Sequence, residues 1–274
     1  MDAGSALGLT LVSAFALAAA LGPLIAPHDP LAQDIARRLK PPGYVDATGQ
    51  VFVLGSDGLG RDILSRLIMG ARVSLVVGLG GALLSAALGT TVGLTAGYFG
   101  DWWDALIMRV ADVWQAIPFT VLAIAVVVVL GPSLPNLVLV LGATSWVSYA
   151  RVVRAETLAQ RHGDLVMAAR VMGASHARIL ARHVLPRVAP GVVVLGSLLV
   201  ASMILFEASL SFLGLGVQPP TPSWGNMVLD GVEPIRAAWW VACFPGLAIL
   251  LAVMGINLLG DWLRDMLDPR LRTG

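Results

Sequence analysis

"MAARVMGASHARILARHVLP" (Met167–Pro186) has the form of two short helices hinged at a glycine, and it lies between stretches apolar enough to cross a membrane. Just upstream, Asp164 can cap the first helix by accepting from backbone N–H groups in its opening turn. Leu165, Ala168, Ala169 and Met172 then fall at i, i+3, i+4 and i+7 on one apolar face. Gly173 ends that helix, because glycine takes the left-handed conformation at a helix C-terminus without steric cost. Ser175 can cap a second helix with Ala177, Leu180, Ala181 and Val184 on its face, and Pro186 is expected to break the pattern. The alanines leave a shallow, flat surface suited to close docking.

Three readings of this pair are open. It can lie on the membrane surface with its arginines near lipid phosphates. It can be a helix-turn-helix for DNA, although two short helices tethered at a bilayer have little access to a major groove. It can be a docking element that passes motion from a soluble motor to the membrane spans.

Composition supports the membrane setting, since 57% of the 274 residues are hydrophobic and 13% charged, far from the balance of a soluble domain. A formal charge of +1 argues against bulk attraction to nucleic acid. A single cysteine, Cys243, excludes an internal disulfide and a cysteine-built zinc site, and its apolar surroundings predict a small buried core residue. Crossing the hydrocarbon core takes roughly 20 mostly apolar residues. Six segments meet that demand, at about 5–26, 73–98, 105–130 (with a kink expected at Pro118), 134–153, 190–215 and 238–259. The first is read as an uncleaved anchor. An all-α membrane protein with six transmembrane helices is the fold expected.

Orientation follows from arginine, because basic loops stay cytoplasmic. Arg151, Arg154, Arg161, Arg170, Arg178, Arg182 and Arg187 gather between the fourth and fifth spans, so that loop is placed inside, together with both termini; Arg264, Arg270 and Arg272 in the tail agree. The stretch 27–72 then falls outside, against the rule, with Arg37, Arg38, Lys40, Arg61 and Arg66. Within it, "GSDGLGRDILSRLIMGARVSL" is expected to form a helix along the outer surface that leads into the second span. Its glycines lack the G-x-x-x-x-G-K-S/T pattern of a phosphate loop, and the chain carries no nucleotide-binding, zinc-protease or nucleophile-elbow motif. Four scattered histidines make a metal cage improbable, and no cofactor is expected.

An ionisable group at membrane depth costs about 2.5–3.5 kcal/mol on insertion scales and is a functional candidate. Glu207, midway along the fifth span with Ser202, Ser209 and Ser211 nearby, has two readings: a hydrogen-bonded lock between helices, or, with Ser211, part of a translocation path. Arg109 and Asp112 are spaced to pair with each other. The Trp102–Trp103 and Trp239–Trp240 pairs suit membrane interfaces. The polar, proline-rich segment 217–238 is expected to be an ordered outer loop.

These features resemble the membrane-spanning subunits of binding-protein-dependent ABC importers, whose cytoplasmic loop has the form E-A-A, three residues, G, nine residues, I-x-L-P. Ala168, Ala169, Gly173, Leu185 and Pro186 match it, whereas Met167 stands at the glutamate and His183 at the isoleucine. "EASLSFLGLGVQPPTPSWGNM", "FPGLAILL" and "NLLGDWLRDMLDPRL" narrow the resemblance to the second permease subunit of the dipeptide, oligopeptide and nickel group. The resemblance implies a type I importer transmembrane fold in a bacterial inner membrane. It implies a sister permease, two ATP-binding cassette ATPase subunits and an extracytoplasmic solute-binding protein as partners, with membrane lipid around the chain and no nucleic acid. Asp164, Met167, Ala168, Ala169, Gly173, Ala174, Leu185 and Pro186 would couple to the ATPase, and the chain would be a transport subunit, not an enzyme. The chain divides accordingly into an anchor with an extracytoplasmic segment (1–72), a permease core (73–264) carrying the coupling loop at about 156–187, and a tail (265–274). The rival is an ion-coupled secondary transporter, which predicts midplane carboxylates in broken helices and an inverted repeat. Only Glu207 fits it, and no repeat is visible.

Overall fold

The computed structural model describes residues 3–267. Most of the described chain is helical: α1 (Ala3–Ile25), α2 (Ile63–Phe99), α3 (Asp101–Ala116), α4 (Phe119–Leu130), α5 (Leu134–Gln160), α6 (Asp164–Val171), α7 (His176–Ile179), α8 (Leu185–Phe212), α9 (Trp224–Asp230) and α10 (Trp240–Leu267). A π turn, Leu180–Val184, joins α7 to α8. Five of these helical stretches are long and apolar enough to cross a membrane: α1, α2, α5, His176–Phe212 and α10. Arg270 and Arg272, and all but the start of the expected tail, lie outside the described residues.

The third expected span is a bent pair. Ile117 is extended, with φ −81° and ψ 121°, because the ring of Pro118 disfavours helical backbone at the preceding residue. α3 and α4 therefore meet at 82°; the 12 residues of α4 rise only about 18 Å, short of a bilayer crossing by themselves, and the pair taken as one broken span brings the spans to six. Arg109 does not pair with Asp112 as its spacing suggested; Asp112 accepts from Arg151 of α5 at 2.7 Å. Cys243, expected in the core, is exposed on α10.

The surface helix expected ahead of the second span is instead the start of α2. No proline interrupts residues 63–99, and Asp62 caps the N-terminus by accepting from Ser65 N at 2.8 Å, so one helix of 37 residues runs for about 55 Å. α2 also enters all three apolar clusters: through Ile63 and Ala71 with α1, α9 and α10, through Val73, Val77 and Ala82 with α4, α5 and α8, and through Leu94 and Tyr98 with α5, α6 and the start of α8. Its closest neighbour is α5. Gly89, Gly93 and Gly97, one per turn, put bare backbone against Trp146, Ala150, Arg154 and Thr157; a Cβ at Gly93 would sit 2.5 Å from the Ala150 carbonyl oxygen and 3.0 Å from Val153 Cβ. Small residues at this spacing let two helices in lipid approach closely enough for dispersion forces to hold them. Ser85 Oγ adds a bond of 2.9 Å to the Gly142 carbonyl across the same seam.

The segment between α1 and α2 is organised by aspartates. Buried Asp57 accepts from Leu59 N (2.9 Å), Arg61 N (3.0 Å), Arg61 Nε (2.7 Å) and Arg66 Nη1, and both arginines also pair with Asp230 of α9, at 3.1 and 3.2 Å. A short hairpin, β1 (Tyr44–Val45) with β2 (Val51–Phe52), turns around Asp46. The Thr48 hydroxyl, bonded at 2.7 Å, holds the Asp46 carboxyl below its ordinary range, against the opposing effect of burial and with help from the Gln50 and Thr48 N–H groups and Arg37. Three of the five cations that sit awkwardly for an outer segment, Arg37, Arg61 and Arg66, are thus each held by carboxylates.

The glycine seam gives a direct test. Gly93→Leu drives a side chain into the α5 backbone and should destabilise the folded protein by about 1–3 kcal/mol or more, read as a lower midpoint of thermal unfolding in detergent. Gly246→Ala in α10 adds a methyl group where nothing lies within 4 Å and should leave the midpoint almost unmoved.

Candidate functional site: the helix pair and the buried carboxylate

The helix pair folds as two short elements clamped to the ends of α2 and α5. α6 starts one residue earlier than the sequence suggested. Gly163 is its N-cap, without a side-chain cap bond, and Asp164 is the first helical residue. Asp164 therefore acts on the exposed N–H groups through its charge at the positive helix end, with Arg170 in the last turn complementing the other end. The shift has a consequence for Met167, which becomes the fourth helical residue. A glutamate there is one position too far along to close a capping box with the N-cap.

The C-terminus of α6 is a Schellman closure. Gly173 takes φ +76°, Gly173 N donates to Arg170 O and Ala174 N to Ala169 O, both at 3.0 Å, and Ala174 packs into the same apolar cluster as Ala169. Ser175 caps α7 as expected, accepting from Arg178 N at 3.4 Å. Pro186 does not break the helix. The π turn ahead of it, closed by Leu185 N to Leu180 O, widens the backbone where the proline lacks an N–H, and Pro186 occupies the opening turn of α8. The second half of the pair is consequently continuous with the fifth span.

The expected single face of α6 splits in two. Val166 and Ala169 point inward, 1% and 2% exposed, against Leu94, Tyr98 and Val153, joined by Ile179 and Val184. Leu165, Ala168 and Met172 point outward, with Met167 and Val171 beside them; Met172 is 80% and Val171 86% exposed. Sequence periodicity could not separate these faces because the helix is apolar nearly all round. Of the residues named for coupling, Ala169, Ala174 and Leu185 anchor the pair, while Asp164, Met167, Ala168, Gly173 and Pro186 stay exposed. Periodicity also missed the polar anchor: Tyr98 Oη lies 2.9 Å from His176 Nδ1 and receives a hydrogen bond of 3.4 Å from Arg170 Nη2.

Glu207 is fully enclosed. It accepts from Ser211 Oγ at 2.8 Å and, across the helix interface, from Ser74 Oγ of α2 at 3.2 Å, with the Ser223 hydroxyl as a third partner. Gly225 of α9 rests on Ala208 and Ser211, so α2, α8 and α9 converge on this carboxylate. Ser202 and Ser209 bond their own helix at Leu198 O and Leu205 O, away from Glu207. Among the described residues no group of three or more His, Cys, Asp and Glu is placed to hold a metal ion.

Residues 89–273 match the family described as binding-protein-dependent transport system inner membrane component, and residues 4–42 match the N-terminal TM domain of oligopeptide transport permease C. The chain is 43% identical to the di/tripeptide transport system permease protein DppC of Pseudomonas aeruginosa, over 97% of this chain and 88% of that protein. It is 40% identical to the dipeptide transport system permease protein DppC of Haemophilus influenzae, over 98% and 91%. It is 47% identical to the glutathione transport system permease protein GsiD of Pectobacterium atrosepticum, over 80% and 73%. In fold it is similar to a chain of the MetNI methionine ABC transporter in its inward-facing conformations, with a TM-score of 0.60 at 18% identity, covering 74% of this chain and 96% of that one. The rival reading, an ion-coupled secondary transporter, finds no support in these matches. The fold is that of a type I ABC importer permease, and the chain belongs to the family of binding-protein-dependent transport system inner membrane components.

Proposed function

We propose that this chain is one of two membrane subunits of a bacterial inner-membrane peptide importer, working with a sister permease, two ATP-binding cassette ATPases and an extracytoplasmic peptide-binding protein. The observation that carries the coupling role is the division of labour in α6. Val166 and Ala169 fasten the helix to α2 and α5, and the Schellman turn fixes its end. That leaves Leu165, Ala168 and Met172 as a free apolar strip for an ATPase groove. Peptide as the solute is favoured by the di/tripeptide and dipeptide permease proteins that share most of this chain. Glu207 serves as a lock between α2 and α8, since its bonds to serines on both helices leave it without exposed surface.

Four outcomes test this reading. Open space surrounds Gly173, so the penalty of Gly173→Val comes from backbone alone, about 1–2 kcal/mol for a left-handed residue, more for a β-branched one. It should uncouple ATP hydrolysis from uptake in reconstituted complexes, whereas Gly173→Asn should retain coupling; full uptake by the valine variant would count against the proposal. Met167, 45% exposed at the rim of the strip, is suited to an apolar ATPase groove. Met167→Glu should lower solute-stimulated ATPase activity, and equal or higher activity would remove the case for a specialised partner. For orientation, with Cys243 replaced, a cysteine at Ala47 should react with a membrane-impermeant thiol reagent added outside and one at Ala177 should not; the reverse pattern would invert the topology. Finally, Glu207→Gln preserves hydrogen bonding to both serines and should keep stability and uptake. Glu207→Leu should lower stability by about 0.6–2 kcal/mol, the range for a hydrogen bond between membrane helices. A loss of uptake in Glu207→Gln at full stability would assign the carboxylate to the path instead.

A further inference from the structure

Where the helix pair folds back on the end of α2, two cavities lie side by side. One, of about 380 Å³, is walled by Tyr98, Arg161, His162, Arg170 and His176; the other, of about 520 Å³, by Thr95, Trp102 and Trp103; Phe99 and Asp101 line both. A cationic chamber thus opens onto an aromatic one.

The chamber's two arginines carry no ion pair among the described residues, although the carboxylate of Asp101 shares the lining at more than 4.0 Å from both. Arginines ion-paired among the described residues are Arg37, Arg61, Arg66, Arg151 and Arg154; Arg161 and Arg170 have no carboxylate oxygen within 4.0 Å. Arg161 Nε donates to His162 Nε2 at 2.9 Å, and its guanidinium fills the space where a Cβ on Gly100 would lie, so a glycine with φ +70° makes room for it. Arg170 donates to Tyr98 Oη at 3.4 Å and lies 5.8 Å over the Tyr98 ring. Each guanidinium carries five N–H donors, and these contacts use one apiece, which leaves donors for an anion.

Two features decide what kind of anion. Arg170 is two residues from Ala168, about 160° away around α6, so it is turned from the free apolar strip towards α2. The neighbouring chamber begins at Trp102, 71% exposed, on the first turn of a helix that also exposes Leu106, Val110 and Val113 along one face, with Arg109 and Asp112 exposed beside it. Paired tryptophans beside arginines and an apolar helix face are what a membrane interface selects, with a phosphate at the cations and an acyl chain along the aromatics.

We propose that these paired cavities hold an anionic phospholipid, its phosphate against Arg161 and Arg170 and one chain over Phe99 and Trp102. The site does not rest on the transport function or the orientation proposed above, and its readout is lipid retention, independent of transport. The whole transporter is purified from nanodiscs of equal phosphatidylglycerol and phosphatidylcholine, and retained lipid is measured by native mass spectrometry. Wild type should keep phosphatidylglycerol in preference, and an excess of inorganic phosphate should not displace it. Each arginine near an anionic surface is worth about fivefold in binding, so retention should fall roughly 20–30-fold in Arg161→Gln/Arg170→Gln. Arg178→Gln/Arg182→Gln, on the same basic loop but outside the cavities, should retain the lipid. The proposal fails if wild type shows no preference, if phosphate displaces the lipid, or if both double variants lose it equally, which would mean diffuse attraction. It fails equally if Arg161→Gln/Arg170→Gln keeps the lipid but sheds the ATPase subunits, which would assign the cations to a protein contact. Should that variant not assemble, the wild-type lipid preference and phosphate competition decide the matter.

Discussion

The architecture depends on the contact between α2 and α5. Three glycines one turn apart take α2's own side chains out of the contact, so its bare backbone meets α5 over Trp146 to Thr157. In lipid, where apolar side chains gain nothing by leaving their surroundings, close van der Waals contact is what holds helices together. Everything else hangs on this pair: the anchor α1 and the last helix α10 pack near one end of α2, α8 crosses its middle, and α6 is fastened where α2 and α5 end together. Placing Val166 and Ala169 against Leu94 and Val153 requires that those two helix ends already be in register.

The segment between α1 and α2 solves a different problem. It is rich in arginine, and the structure surrounds three of these side chains with carboxylates. Asp57 is the centre of this arrangement, taking bonds from Arg61, Arg66 and two backbone N–H groups, while Asp230 brings the loop before α10 into the same group. Two segments far apart in the chain are thereby joined by charge-assisted hydrogen bonds, which are stronger than neutral ones and set geometry more strictly.

Much of this was legible in the chain itself, and the parts that were not have identifiable causes. Long apolar runs marked the spans, since hydropathy is a sum over many residues and tolerates local error. Gly173 and Ser175 marked the hinge because their roles follow from local backbone chemistry alone. Boundaries failed where a neighbouring turn decided them: Asp164 fell inside α6 because Gly163 took the cap, and Pro186 was accommodated because the backbone widened ahead of it. The 82° bend at Pro118 was legible as a kink but not in its size, which depends on what α4 packs against. Pairings between distant residues, such as Arg151 with Asp112, Tyr98 with His176 and Ser74 with Glu207, leave no trace in local spacing. The faces of α6 were ambiguous for a related reason, since an amphipathic pattern needs a polar side and this helix has almost none.

The π turn at Leu180–Val184 has a mechanical consequence. By keeping His176 to Phe212 in one helical stretch of 37 residues, it makes the lower half of the helix pair and the fifth span a single rod about 55 Å long. A rod of that length is a lever: tilting it by about 5° around its centre carries each end through roughly 2.4 Å. Pressure on the exposed side of Ala177 and Ala181 would then be felt at the far end of the span, where Glu207 and its contact with Ser74 of α2 lie in the last turns of α8, just ahead of the proline-rich loop. A proline that simply broke the helix would have inserted a slack joint between the two.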